Sequence, residues 1–117
     1  MTREELEQLI YDKYGILSEN VFEKYPSIEV FRHEENNKWF AVIMKVSTSK
    51  FGLFDEKEIN IVNLKFTEEV RDIVRNHLGI FPAYHMSKRH WVSVFLDGSV
   101  EKETVEKLLE VSFVVTG

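Results

Sequence analysis

The chain has no cysteine, two prolines and five glycines among its 117 residues. Without cysteine there can be no disulfide, no thiol nucleophile and no thiolate metal ligand. No apolar run approaches the roughly 20 residues that a membrane-spanning helix needs. The opening Met1-Thr2-Arg3-Glu4-Glu5 is acidic and no apolar stretch follows it, which reads against a signal peptide and for the cytoplasm. Positive charge is also in deficit. Fifteen Lys and Arg face 20 Asp and Glu, a net charge of -5, which excludes a general DNA coat. Phosphate-binding glycine loops, a Gly-x-Ser-x-Gly elbow and His-x-x-x-His spacing are missing too, so no cofactor, catalytic residue or metal site is expected.

What the chain does have is apolar and aromatic mass. Hydrophobic residues make up 44% and charged residues 30%, and there are nine Phe, four Tyr and two Trp. That balance fits a soluble globular chain rather than a disordered one. At this length the expectation is a single domain over residues 1–117, because two halves would each be near the lower limit for a self-sufficient core.

Local patterns give the element order. Thr2 and Glu5 have capping-box spacing; Leu6, Leu9, Ile10 and Tyr14 follow helical periodicity, and Gly15 is a natural stop. Residues 16–27 read as irregular. Strands are expected over 28–32, 38–46, 59–66 and 91–96, with a polar turn at 34–37 and a longer loop at 47–58. Thr67 is a candidate cap for a second helix, with Val70, Ile73, Val74, His77 and Leu78 as its buried stripe and Gly79 as its end. Residues 80–90 are extended or looped. Asp97-Gly98-Ser99 turns into a last helix near 101–112. The order α-β-β-β-α-(β)-β-α implies an α+β, two-layer fold: an antiparallel sheet with helices packed on one face.

Strand side chains alternate between faces. One parity (Phe40, Val42, Met44 and Val46, with Val62, Leu64, Phe66, Val92, Val94 and Leu96) is wholly apolar and is assigned to the helix-covered core. The other carries Trp39, Ala41, Ile43 and Lys45, then Ile59, Ile61, Asn63 and Lys65, then Trp91, Ser93 and Phe95. Such a mixed face can stack bases, fit a protein partner, or lie beneath long loops.

The densest cluster is Tyr84-His85-Met86-Ser87-Lys88-Arg89-His90-Trp91. Residues 61–91 carry five basic and three acidic groups and are the only net-positive stretch between two acidic flanks. Interleaved cations and aromatics suit phosphate contact plus base stacking; the same composition also makes a solvated loop. This block resembles the signature of the MmcQ/YjbR family. The resemblance extends to Val30-Phe31-Arg32-His33, Lys38-Trp39-Phe40-Ala41, Val62-Asn63-Leu64-Lys65 and Ser112-Phe113. Ala83, Ser87, Phe66 and Phe113 depart from residues common in the family. The resemblance implies a CyaY-like or secretion-chaperone-like two-layer fold and DNA binding as the function. The binding candidates are then Lys38, Trp39, Lys65, Tyr84, His85, Lys88, Arg89, His90 and Trp91. The expected partner is DNA, held weakly and salt-sensitively by a monomer away from any membrane. A protein partner on the aromatic face and a small-ligand site around His85 and His90 remain open alternatives.

Overall fold

A computed structural model describes all of residues 1–117. The first helix, α1 (Arg3–Tyr14), starts at the expected capping box: Thr2 accepts from the Glu5 N–H and the Glu5 side chain accepts from the Thr2 N–H. It ends at Gly15, whose φ of 67° is the left-handed conformation that glycine adopts without a Cβ clash. Leu6 and Ile10 are its buried residues. The strands are β1 (Glu29–Arg32), β2 (Trp39–Ser47), β3 (Glu58–Lys65), β4 (Ile80–Pro82) and β5 (Trp91–Phe95). They form one sheet in the order β1-β2-β3-β5-β4, and every neighbouring pair is antiparallel. Between β3 and β4 lies α2 (Arg71–Arg75), and α3 (Lys102–Thr116) closes the chain. The fold is therefore α+β with an antiparallel sheet, and its main core lies between that sheet and α1 and α3. No helix is long and apolar enough to cross a membrane.

Three expectations change. The first is the parity of β2. Phe31 pairs with Ala41 but Arg32 pairs with Trp39, so Phe40 is an extra residue in the ladder. This bulge puts Phe40 and Ala41 on the same face and inverts every later position. Ala41 and Ile43 join the helix-side core, whereas Val42, Met44 and Val46 point to the other face. Strands β3 and β5 keep the expected parity: Val62, Leu64, Val92 and Val94 face the helices, and Ile61 and Phe95 oppose them.

The second is the helix after Thr67. It shrinks to a 3-10 turn at Glu68–Val70 and the five residues of α2. The Thr67 side chain caps nothing and its hydroxyl is buried without a partner. Val70 is buried, but Ile73 is exposed and Leu78 is 92% exposed, so the expected stripe is mostly not a core face. Gly79 serves close packing: a Cβ there would come within 2.3 Å of the Ser99 hydroxyl. The third is α3, which runs to Thr116 because Ser112 and Thr116 are buried and hydrogen-bonded within the fold.

The second face of the sheet is covered by the chain's own loops. Val30, Val42, Met44, Val46, Ile61 and Phe95 form a small core there, under Phe51, Phe81, Tyr84 and Met86. Phe81 and Phe95 stack with ring centroids 4.9 Å apart, and Phe51 packs against both. Trp39 is half-buried against Phe22. Ile61 and Phe95 are buried beneath these rings, while Trp39 keeps part of its surface exposed.

Candidate functional site

The aromatic-cationic loop is fixed by a buried polar network. Asn63 and Ser93 sit opposite each other on β3 and β5, fully buried. The Ser93 hydroxyl donates to the Asn63 side-chain oxygen at 2.5 Å and accepts from the Tyr84 N–H at 3.0 Å. The Asn63 amide in turn donates to the Tyr84 carbonyl at 2.9 Å. Each buried polar group so paired avoids the cost of about 1–3 kcal/mol for an unsatisfied one. Lys88 then folds back to donate its ammonium to the Ala83 carbonyl at 2.8 Å. The loop's lysine thus braces the loop's own backbone. Asn63 already stands in the Val62-Asn63-Leu64-Lys65 block, whereas the only sequence signal of Ser93 is a polar position between Trp91 and Phe95 on one strand face.

Fixing the loop this way separates its remaining residues into two places. Arg89 and His90 turn toward the end of the sheet where β2 begins, β3 ends and β5 begins. There a cleft of about 460 Å³ is lined by Lys65, Thr67, Glu68, Arg71, Arg89 and His90, among others. Its backbone is well tied: the Phe66 N–H donates to the His90 carbonyl, and the Lys65 N–H to the Ser112 hydroxyl, which donates to the Phe40 carbonyl. Glu68 is the only acid among those lining residues, and hydrogen bonds from Arg71 hold its carboxyl below its ordinary value. Lys65 and Arg89 take part in none of the chain's ion pairs. Trp91 is half-buried directly across from Lys65 on the neighbouring strand. Lys38, exposed just before β2, belongs to the same end of the sheet.

Tyr84 and His85 go elsewhere. They line a cleft of about 520 Å³ together with Tyr25, Met44 and Lys50. A second depression of about 300 Å³, lined by Trp39, Phe22 and Met86, shares His85 with it. His85 and His90 therefore line different clefts, and the nine candidates do not form one constellation. His85 adopts φ 62°, the left-handed region, with its ring 3.9 Å from that of Tyr84. Of the other histidines, His77 contacts Glu101 at 3.1 Å, and buried His33 meets the Thr116 hydroxyl at 2.9 Å. The Thr116 hydroxyl hydrogen goes to the Ser112 carbonyl, which makes His33 the donor to Thr116 through Nε2–H. No three histidine, aspartate or glutamate side chains converge as a metal site.

The architecture and the anchored loop define a class: a small two-layer α+β domain whose sequence signature is braced against the sheet from within. The chain belongs to the YjbR family, whose model matches residues 11–114. It is 40% identical to the protein YyaQ of Bacillus subtilis over 116 residues, 99% of this chain and 98% of that one. It is 32% identical to YjbR of Escherichia coli over 80 residues, 67% of this chain and 68% of that one. Both relatives are described as uncharacterized. A crystal structure of a Pseudomonas syringae protein superposes with a TM-score of 0.94 at 35% identity, covering 100% of both chains. The Deinococcus radiodurans protein DR2400 does so with a TM-score of 0.68 at 25% identity, covering 97% of this chain and 77% of that one.

Proposed function

We propose that this protein is a DNA-binding module that contacts phosphate weakly through the cleft at the end of the sheet. The observation that supports this reading most is the cation set of that cleft. Lys65 and Arg89 are unpaired, His90 adds a third donor, and the single acid is held by Arg71. Phosphate contact favours unpaired cations, because a cation already in an ion pair must give up its carboxylate partner before it can displace the counterions condensed on DNA. Lys38 extends the cation set along the same edge, and Trp91, opposite Lys65, supplies ring surface beside it. Lys88 keeps its charge but is turned away from the cleft by its bond to the Ala83 carbonyl, so it is a weaker candidate for phosphate contact than Lys65 or Arg89. With a net charge of -5 the attraction is local and easily screened.

The test is anisotropy of labelled short DNA across a salt series. Binding is expected at low salt and lost near physiological salt. Lys65→Ala and Arg89→Ala should each flatten the plot of log affinity against log salt by roughly 0.7–0.9. Lys102→Ala, at the start of α3, should leave the slope unchanged. No binding at low salt, or the same slope in the Lys65→Ala/Arg89→Ala pair as in the parent, overturns the reading.

A further inference from the structure

The two depressions that meet at His85 form one groove, and nothing in the DNA reading uses it. Tyr25, Ile28, Met44 and His85 line both halves. The floor is the second face of the sheet. One wall is the irregular segment before β1 and the other is the loop at 84–86. Along its length the groove changes character. At one end it is apolar and ringed by Phe22, Trp39 and Met86. At the other it is lined by Ser27, Ser47, Lys50 and Glu58. Small-molecule sites have this composition: an apolar body of roughly 300–1,000 Å³ with a few polar groups that fix orientation.

The chemistry narrows the occupant. Phe22, Tyr25, Trp39 and His85 give the apolar end four rings beside Ile28, Val42, Met44 and Met86, a lining on which a flat aromatic body can stack. At the polar end Lys45 and Lys50 outnumber Glu58, and none of the three is in an ion pair. An uncommitted cation excess beside an aromatic slot complements an anion. His85 sits where the halves join and is held with φ 62°, in the left-handed region that non-glycine residues seldom adopt. Such strain persists only where the surroundings over-determine it, and it concentrates at functional sites. Here the Asn63–Ser93 network and the Lys88 brace hold the residues on either side.

We propose that this groove binds a small aromatic carboxylate or a similar flat organic anion, with the ring between Trp39, Phe22 and Met86 and the acid toward Lys50. The site is separate from the cationic cleft, which is lined by none of the same residues. The experiment is an NMR titration of the full chain with 2-naphthoate, followed at backbone amides and by Trp39 and Trp91 indole signals. Its uncharged counterpart, 2-naphthylmethanol, is titrated in parallel. The expected result is saturable shifts at Tyr25, Met44, His85 and the Trp39 indole, with the Trp91 indole and Arg89 unmoved. The alcohol should bind several-fold more weakly, and Lys50→Gln should weaken naphthoate to the level of the alcohol while leaving the alcohol unchanged. Equal binding of acid and alcohol, shifts centred away from the groove, or no shift at millimolar naphthoate overturns the proposal. Since DNA is expected to move Lys65, Arg89 and His90 instead, either reading can fail without the other.

Discussion

The two faces of the sheet are built on different principles. The helix side buries 18 apolar residues in one cluster, with buried His33, Ser112 and Thr116 hydrogen-bonded around the end of α3. The loop side buries only six apolar residues, roofs them with aromatic rings, and sets Asn63 and Ser93 among them with no solvent exposure. A large apolar cluster gives stability but little positional control, because dispersion and water exclusion are nearly non-directional. A buried hydrogen-bond network is directional and costly when incomplete, so it fixes one geometry. The loop side spends its few buried positions on placing the segment 83–91. Its thin cover leaves the groove open. The helix side holds the chain together, and the loop side decides where Tyr84, His85, Arg89 and His90 go.

That contrast is broken most forcefully from the helix side. Phe40 is fully buried and touches Tyr14, Phe31, His33 and Phe113 with its ring. Phe40→Ala should cost about 3–5 kcal/mol in urea unfolding. The surviving folded fraction should keep its loop-side amide shifts, because the ring makes none of the contacts that hold residues 83–91. A loss under about 1 kcal/mol would mean that the main core is not where the stability resides.

How far the sequence reveals these features depends on how local each one is. The Thr2–Glu5 capping box and the Gly15 stop are legible because every partner lies within one helical turn or its edge. The positions of the strands along the chain and the apolar faces of β3 and β5 are legible because period-two alternation survives there. The faces of β2 are not, since the bulge at Phe40 depends on how β1 lies against it, and a single extra residue inverts every position from Ala41 to Val46. The helix after Thr67 fails for a related reason. Val70, Ile73, Val74, His77 and Leu78 have helical spacing, yet the chain leaves the helix at Asn76 to deliver β4 to the sheet edge. Of the nine site candidates, Lys65, Arg89 and His90 line the cationic cleft, Trp39, Tyr84 and His85 line the groove, and Lys38, Lys88 and Trp91 line neither.

The network itself is the next place to test the contrast. Asn63→Ala removes the acceptor of the Ser93 hydroxyl and the donor to the Tyr84 carbonyl. A loss of about 1–3 kcal/mol is expected. The sharper readout is local: amide exchange should rise across 83–91 more than across α1 or α3, and the His85 ring should lose its contact shift from Tyr84. Uniform exchange through the whole chain would show that the two faces are one cooperative unit without a separate loop-side element.

The smallest effect tests the seam where the two faces meet. Arg3, on α1, donates to Glu29 at the start of β1 and to the Ser27 carbonyl, and Ser18 donates to the same carboxylate. These bonds pin the groove wall to the helix layer. Burial pushes the Glu29 carboxyl up, but the hydrogen bonds from Ser18 and Arg3 outweigh it, leaving the group below its ordinary value. Its contribution is therefore complete above the ordinary glutamate range, near about 4.3, and is lost as the pH falls below it. Glu7 is shifted the other way, by burial first and then by the charge of Glu29. A raised carboxyl is a benefit at low pH that fades as the pH rises through its folded value. Glu29→Gln should lower the melting temperature at pH 7 and converge on the parent as the pH falls below about 4. Glu7→Gln should raise it slightly at pH 7 and also converge with the parent in acid. Parallel curves across the whole range for both variants would mean that neither charge couples the groove wall to α1. The wall would then be held by its other bonds: the Asn20 side chain donates to the Pro26 and Ile28 carbonyls at 2.9 and 3.0 Å, Glu19 pairs with Val30 through the backbone, and Arg32 donates to the Glu19 carboxylate.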